Sequence, residues 1–440
     1  MTPLLVGAAL FVAMLALMAV RVPIAIAMFV PGAIGYIVLS SEAALLSHLK
    51  GALYARFSVY DLSVIPLFLL MGQFATQGGL SAALFRAAAS LVGHFRGGLA
   101  MAAVLACAAF GAICGSSVAT AATVAQVALP EMKRFNYSGR LATATLAAGG
   151  TLGILIPPSV VLVVYAILAQ QNIAKLFAAA MVPGIVAAFG YLVAIGVYVR
   201  MHPDQGPAQP RHSTREQLAV IVNVWPIAAI FLVVFGGIYG GIFTPTEGAA
   251  VGAVGTFAAG MLKRELDWPA IRRSFVGAAE TSAMIFMIFL GADMLNSALA
   301  LSQMPAQLAQ IVGGLQVPPL MIVAGVLMFY VLLGCVMDEL SMILLTVPVV
   351  FPAVMALDLF GLEASEKAIW FGILILMVVE IGLIAPPVGL NVYVVNGLAR
   401  DVPMAETYRG VLPFLVTALG RVLLLLFFPA FALWAVRLLD

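Results

Sequence analysis

The sequence contains few charged residues. Lysine, arginine, aspartate and glutamate make up 9% of the 440 residues, whereas a soluble globular domain carries about 25%. Hydrophobic residues make up 64%, and stretches such as 224–243 contain no charge at all. A chain of this composition cannot form a large water-exposed domain, so soluble enzymes and nucleic-acid-binding proteins are excluded. We expect a polytopic membrane protein.

Residues that hold metals or bind nucleotide phosphates are also scarce. The three cysteines lie in apolar stretches, and the four histidines show no metal-ligand spacing. The sequence contains no Gly-x4-Gly-Lys-Ser/Thr loop, so the chain does not hydrolyse ATP by that route. These absences argue against an enzyme and leave transport, reception or scaffolding in a membrane.

Apolar elements occur in equal number on the two sides of the hydrophilic segment 200–217. The first element, 4–20, is followed by Arg21 and has no basic residue before it, which is typical of a first membrane helix and not of a cleaved signal peptide. The elements 99–130 and 320–356 are too long for one crossing and too short for two, because about 20 residues span the hydrocarbon core. We predict that each forms a re-entrant hairpin with a polar tip at mid-membrane.

Charge predicts the orientation of the first hairpin. Arg96 precedes it and Lys133 follows it, so both of its ends are cytoplasmic by the positive-inside rule. Five crossings and one hairpin per half would give the second half an inverted orientation. We therefore predict an all-α polytopic membrane protein with two inverted repeats, 1–199 and 218–440, joined by the cytoplasmic linker 200–217. Inverted repeats are the architecture of many secondary transporters.

One further element in each half, 141–168 and 368–399, contains a proline pair, Pro157–Pro158 and Pro386–Pro387. Proline removes a backbone donor and clashes with the preceding turn, so both helices must be interrupted there. Within a membrane, free backbone groups are tolerated only where they line a cavity or are buried in protein, and there they serve as ligands. The alternative is a simple proline kink, but two matched pairs favour a binding site.

Polar side chains at the hairpin tips are the candidate ligands. Ser116 and Ser117 supply hydroxyls at the first tip, whereas Thr120 either binds a ligand or bonds back to its own helix. Asp338, at the second tip, is the best intramembrane acid, because a charge at mid-membrane is costly and usually functional or paired. Asn391 is a plausible neutral ligand. Three other acids have no role that the sequence assigns: Asp293, Glu339 and Glu380.

Local patterns predict the structure of several other segments. Thr244 to Glu247 has the pattern of a capping box, which makes Glu247 structural. Segments 81–97 and 302–317 are predicted to be interfacial helices. Segment 41–60 is predicted to be an outward loop.

Five blocks of the sequence resemble one family: FGAICGSSVATAATVAQVALPEM, GGTLGILIPPSVVLVVY, GGIFTPTEGAAV, CVMDELSMILLTVPVVFP and IGLIAPPVGLNVYVVNGLA. They resemble signature regions of the large membrane subunit of tripartite ATP-independent periplasmic (TRAP) transporters, over nearly the whole length. The resemblance implies a sodium-coupled importer of organic anions, often carboxylates such as C4-dicarboxylates, in a bacterial inner membrane. It also implies two partners, a small membrane subunit and a soluble periplasmic binding protein, and an elevator-like motion of the hairpin domain.

The resemblance also implies which residues bind. The first sodium site would comprise Gly115, Ser116, Ser117, Gly150, Thr151 and Pro157. The second would comprise Asp338, Ala385 and Pro386. The substrate would contact Ser117, Thr120 and Asn391. Many family members have Asp where Thr120 stands, Pro where Glu339 stands and Asn where Glu380 stands, and these departures concern the substrate class and not the fold.

Two other classes of function compete with this interpretation. One is a stand-alone sodium/dicarboxylate symporter with similar inverted hairpins and no binding protein. The other is a membrane scaffold or receptor, which the polar tips and proline pairs disfavour because irregular buried backbone is costly without a ligand. Membrane lipid is an expected partner in all of these cases, and nucleic acid in none.

Overall fold

The computed structural model describes residues 3–211, 213–314 and 316–438, and these form α-helices and turns without β-strands. The helices before the linker are α1 Pro3–Ala19, α2 Ile24–Leu39, α3 Glu42–Phe57, α4 Val64–Gln77, α5 Leu80–Val92, α6 Gly98–Cys114, α7 Ser117–Arg134, α8 Gly139–Leu155, α9 Val160–Leu168 and α10 Ile173–Met201. Those after it are α11 Thr214–Val222, α12 Trp225–Tyr239, α13 Pro245–Leu262, α14 Trp268–Leu301, α15 Met304–Gly314, α16 Pro319–Gly334, α17 Glu339–Met355, α18 Ala364–Ile384, α19 Leu390–Leu398, α20 Met404–Phe427 and α21 Ala430–Arg437.

Several helices have the length and composition of membrane spans. Within the described residues, four single helices are long and apolar enough to cross a bilayer: α10, α14, α18 and α20. Three bent helix pairs also qualify when each is taken as one span: the 3-10 turn Tyr60–Ser63 plus α4 with α5, α8 with α9, and α11 with α12. The described chain therefore contains up to seven spans by this criterion, beside shorter apolar helices such as α2 and α16.

Helices α6 and α7 form a hairpin whose break is Gly115–Ser116. The backbone amide of Leu99, at the start of α6, donates to the hydroxyl of Tyr137, just beyond α7, at 3.1 Å. The two ends of the segment are therefore adjacent. Because its arms have 17 and 18 residues, each is about 26 Å long at ~1.5 Å per residue.

Helices α16 and α17 form a second hairpin with the same plan. Its break is Cys335–Asp338, and the hydroxyls of Tyr330 and Thr346 lie 2.6 Å apart. These two residues are each eight positions from Asp338, so the arms run side by side in opposite directions.

The helices that contain the proline pairs lie at the centre of the molecule. The chain turns by 43° between α8 and α9, at Ile156–Ser159, and α18 ends before Pro386–Pro387. Every residue from Leu141 to Leu155 and from Ala368 to Ile384 is buried. Helices α8 and α18 also contact one another. Protein, rather than lipid, therefore surrounds both helices, as exposed backbone at the breaks requires.

A glycine pair lets each hairpin approach its broken helix in both halves. A side-chain carbon on Gly111 of α6 would lie 2.6 Å from Gly153 of α8, and one on Gly382 of α18 would lie 2.5 Å from Gly334 of α16. Both distances are shorter than real contacts, so only glycine permits this packing. Gly153 and Gly382 each stand four residues before a proline pair, so the two halves use the same contact at the same place.

Helices α2 and α14 form a wall beside the hairpins. They pack closely, since a side-chain carbon on Gly291 would lie 2.3 Å from the carbonyl oxygen of Ala25. Helix α14 also contacts α4 and α17, so the wall reaches both the first half and the second hairpin.

The local predictions had different outcomes. The capping box is confirmed, because the Thr244 side chain accepts from the Glu247 amide at 3.3 Å and Glu247 accepts from the Thr244 amide at 2.8 Å. The prediction of a loop over 41–60 is wrong for most of that segment. Ser41 caps α3 by accepting from the Ala44 amide, and Ala- and Leu-rich sequence follows it. Helix α5, which overlaps the predicted interfacial segment 81–97, packs one face against α6 and α7.

Candidate functional site

The first hairpin tip lies against the first helix break. Gly115 ends α6 with φ +65°, in the left-handed region that favours glycine, and a side-chain carbon there would be 3.0 Å from the Pro158 carbonyl oxygen. Ser116 begins α7 as its N-cap, and its hydroxyl accepts from the Ala119 amide at 3.5 Å. The structure thus brings Gly115 and Ser116 next to the backbone that Pro157–Pro158 interrupts.

The second tip places two carboxylates in succession. Asp338 is the N-cap of α17 and accepts from the Ser341 amide at 3.1 Å. Its half-buried carboxylate therefore stabilises the start of α17, whether or not it also binds a ligand. Glu339, which the sequence left unassigned, is the first residue of α17 and is 6% exposed.

Ser117 joins the two halves of the molecule. Its hydroxyl lies 3.3 Å from Glu339 Oε1 and 3.4 Å from Asn391 Oδ1, and it donates its single hydrogen to one or the other. The Asn391 amide nitrogen in turn donates to the Ala147 carbonyl at 3.2 Å. Ser117 and Asn391 are both fully buried. Four helices, α7, α8, α17 and α19, therefore meet at one polar junction.

Several buried polar atoms around this junction have no hydrogen-bond partner among the described residues. They are Thr120 Oγ1, Glu339 Oε2 and Ser341 Oγ. An unsatisfied buried polar group costs about 1–3 kcal/mol, so such groups indicate a ligand or water site when they cluster. Thr120 belongs to this group and is not merely bonded back to its own helix.

The other residues predicted for the first cation site lie in two environments. Gly150 packs against the tip, because a side-chain carbon there would lie 3.0 Å from the Ser117 carbonyl oxygen. The Thr151 hydroxyl does not face the tip. It donates to the Ala148 carbonyl at 2.8 Å and lies 3.2 Å from the Tyr191 hydroxyl.

The second break is more open than the first. Pro157 is buried, whereas Pro386 is exposed and Ala385 is 9% exposed. The Tyr408 hydroxyl lies 2.9 Å from the Pro387 carbonyl oxygen and stabilises the exposed turn. The matched proline pairs therefore have different surroundings despite their similar sequences.

A cavity of about 730 Å³ separates the tips from the wall of α2 and α14. Ser116, Asp338 and Glu339 line one side, and Thr281 of α14 lines the other. Arg21, just before α2, is the only basic residue among the described residues that line it.

The sequence analysis missed Arg21 as a site residue, because it stands at a helix end where a cytoplasmic arginine is expected. Its backbone has φ +67°, which is uncommon for a residue other than glycine. Its guanidinium group forms no hydrogen bond or ion pair with the described residues. Only the folded structure places this cation at the cavity.

Glu380 forms a buried ion pair with Arg421 of α20, and the sequence analysis did not identify this partner. Arg421 Nη2 lies 2.8 Å from Glu380 Oε2, and the two side chains are 5% and 0% exposed. The guanidinium carbon also lies 5.5 Å from the Tyr191 ring centroid. Tyr191 contacts Thr151, so the pair belongs to a cluster behind the first break and not to the cavity.

Asp293 lies away from the tips, in the wall. Its Oδ2 is 4.0 Å from His48 Nε2, and it lines a smaller cavity of about 260 Å³ with Asn296. Pro348 of α17 and Leu168 of α9 form part of the opposite side. The wall therefore borders two cavities at different heights along α14.

Known proteins resemble this chain over most of its length. The family described as "Tripartite ATP-independent periplasmic transporter, DctM component" matches residues 11–431. The C4-dicarboxylate TRAP transporter large permease protein DctM of Pseudomonas aeruginosa is 37% identical over 85% of this chain and 86% of its own length. The Vibrio cholerae protein of the same name is 31% identical over 98% of each chain.

A solved structure resembles the fold. The YdaH transporter of Alcanivorax borkumensis superposes with a TM-score of 0.64 at 16% identity, covering 90% of each chain. This likeness supports the arrangement of helices alone. The chain belongs to the DctM family of TRAP transporter large permease subunits, and it is a multi-pass membrane transport component and not an enzyme.

Proposed function

We propose that this chain is the permease subunit of a sodium-coupled importer of an organic anion of the carboxylate class. The observation that carries the proposal is the cavity of about 730 Å³, which is lined both by Arg21 and by hairpin tips that carry polar and unsatisfied groups. A guanidinium group forms charge-assisted, often bidentate hydrogen bonds with a carboxylate. The DctM relatives are named for C4-dicarboxylates, which makes succinate the first substrate to test.

The anion would contact Ser117, Thr120 and Asn391 beside the cavity, with Arg21 on its other side. Thr120 Oγ1 has no partner among the described residues and can donate to a carboxylate. Ser117 can do the same if its single hydroxyl hydrogen turns away from Glu339 and Asn391. Glu339 disfavours an anion as a direct neighbour, so we place it beside a bound cation.

Sodium would bind where oxygens converge at the tips. Gly115, Ser116 and Ser117 with the backbone of Gly150–Pro157 would supply one site, and Asp338 with Ala385 and Pro386 the other. The proximity of Gly115 to the Pro158 carbonyl supports the first set. Backbone carbonyls at interrupted helices are the usual cation ligands in transporters of this type. The chain has no nucleotide-binding loop to supply another energy source.

The motion would be an elevator movement of the hairpins and broken helices along α14. Two cavities border that helix, one lined by Thr281 and one by Asn296. By the positive-inside rule, Arg21 would lie at the cytoplasmic end, and the larger of the two cavities would then face inward. The matched glycine pairs Gly111–Gly153 and Gly334–Gly382 support an inverted repeat.

The proposed partners are a small membrane subunit and a periplasmic binding protein, in a bacterial inner membrane. Proteoliposomes that contain this chain and the small subunit should accumulate labelled succinate only when the binding protein is outside and a sodium gradient points inward. Robust sodium-driven uptake without the binding protein would instead identify a stand-alone symporter. Uptake that follows a proton gradient and ignores sodium would reject the sodium assignment.

A further inference from the structure

A third cavity, of about 620 Å³, lies at the cytoplasmic end of the first hairpin. Helices α5, α7 and α11 and the end of the linker surround it. Its lining includes apolar side chains from three of these elements: Phe85, Ala89, Val127, Phe135 and Val220. Three arginines from separate elements also line it: Arg86 of α5, Arg134 of α7 and Arg211 of the linker. The cavity therefore combines an apolar lining with a basic rim.

The two carboxylates at this cavity leave at least two of its three arginines without an ion pair among the described residues. Glu216 is engaged by its capping box, where its Oε2 accepts from the Ser213 amide and hydroxyl, each at 2.9 Å. Glu131 lies 3.8 Å from Arg134. Arg86 and Arg211 form no ion pair with the described residues, so at least two guanidinium groups line the cavity without a carboxylate partner.

A fourth cation adds to the positive charge. Lys263 follows α13 at the same membrane face and donates to the Asn223 carbonyl at 2.8 Å. Burial lowers the pKa of Lys263, the positive charge of Arg86 lowers it further, and the charge of Glu265 partly offsets both effects. Two like charges are therefore close together here, and a bound anion would stabilise them.

We propose that this cavity binds an anionic phospholipid, with its phosphate between the three arginines and an acyl chain against the apolar lining. Arginine forms bidentate hydrogen bonds with phosphate oxygens, and basic pockets on the cytoplasmic side of membrane proteins suit anionic headgroups. The apolar lining favours a lipid over free phosphate, because free phosphate has no apolar part to bury there. The exposed apolar side chains of α11 indicate that the cavity lies at the membrane surface, since Leu218 and Val222 are 58% and 60% exposed.

A lipid in this place would connect parts that belong to different units. Arg134 lies on the second arm of the first hairpin, whereas Arg211 lies in the linker between the halves. The bound phosphate would therefore hold the cytoplasmic end of the hairpin arm against the linker. This site is separate from the tips and does not depend on the proposed substrate or on sodium.

The test measures lipid that remains bound to the purified full chain. The variant R86Q/R134Q/R211Q removes three charges from the cavity, and R200Q/R272Q/R400Q removes three exposed cytoplasmic charges elsewhere. Phosphatidylglycerol and cardiolipin retained after detergent extraction are quantified by native mass spectrometry. We expect the cavity variant to retain about tenfold less of this lipid than the unaltered chain, or less still. The control variant should retain as much as the unaltered chain. Equal loss in both variants, or in neither, would overturn the proposal.

A second variant tests the apolar part without changing any charge. Ala89→Trp fills the cavity and leaves all three arginines in place, so it should reduce retained phospholipid by a similar factor. Inorganic phosphate in large excess should displace little of the lipid from the unaltered chain. Undiminished retention in Ala89→Trp, or complete displacement by inorganic phosphate, would show that the site takes a soluble phosphate and would refute the lipid assignment.

Discussion

Replacing Arg421 with methionine would remove the positive charge of the buried ion pair and leave a similar apolar volume. Its partner Glu380 is fully buried on α18 and lies 2.8 Å away. Removing one member of such a pair leaves an uncompensated charge in a medium of low dielectric constant and costs about 3–5 kcal/mol. Tyr191 would also lose a cation–π contact worth about 0.5–2 kcal/mol. We therefore expect Arg421→Met to lower the free energy of unfolding by at least ~3 kcal/mol.

The double variant separates the charge effect from packing. Glu380→Gln alone leaves the buried arginine without a charged partner and should lower the free energy of unfolding by a similar amount, about 3–5 kcal/mol. Glu380→Gln with Arg421→Met leaves no charge in the cluster, so it should be more stable than either single variant. The coupling energy between the two substitutions should be at least ~3 kcal/mol and of the sign that indicates rescue.

The assay is unfolding of the purified protein in mixed detergent micelles with increasing dodecyl sulfate. The matched control is Arg409→Met, which breaks the pair with Glu406, 3.0 Å apart on the surface with Arg409 67% exposed. This control should cost less than about 1 kcal/mol. A cost of Arg421→Met no greater than that of Arg409→Met would contradict the expected charge effect, and so would a double variant whose cost equals the sum of the two single variants.

Three further predictions concern topology, coupling and packing. In a cysteine-free background, Arg96→Cys and Lys133→Cys should both react only with reagents added from the cytoplasm; labelling from opposite sides would show that the first hairpin crosses the membrane. Asp338→Asn should raise the sodium concentration needed for half-maximal uptake in proteoliposomes, and an unchanged requirement would remove this residue from a cation site. Gly153→Val should destabilise the protein by about 1–3 kcal/mol or more in thermal unfolding, because a side-chain carbon there would lie 2.7 Å from a backbone oxygen of the first tip. Gly397→Val, which has open space, should not, and equal effects would contradict the packing argument.

Features with a local cause could be predicted from the sequence. Proline interrupts a helix whatever surrounds it, so the breaks at Pro157–Pro158 and Pro386–Pro387 follow from the residues themselves. The capping box at Glu247 is equally local. The prediction of a loop over 41–60 is wrong, because the polar residues of this segment obscure a run of good helix-forming residues that follows a serine cap.

Contacts between distant residues could not be predicted in this way. Ser117 and Asn391 are 274 positions apart, and neither carries a pattern that names the other. The Glu380–Arg421 pair could not be predicted for the same reason. The sequence likewise does not indicate that the Thr151 hydroxyl faces Tyr191 and not the tip. Contacts between distant residues set the positions of the residues predicted to bind sodium and substrate. Their binding roles stay predictions.

The claim that the transported anion occupies the cavity beside Arg21 can be tested by cysteine protection. Thr281→Cys, in a chain without the native cysteines, places a reactive thiol on the α14 side of that cavity. Succinate with sodium, added from the cytoplasmic side, should slow its modification, and Arg21→Gln should raise the half-protecting succinate concentration by about tenfold or more, as loss of a charged hydrogen bond of ~1.5–3 kcal/mol requires. Arg21→Lys should restore part of the effect. Modification at an unchanged rate in saturating succinate, by protein that still transports it, would contradict the account.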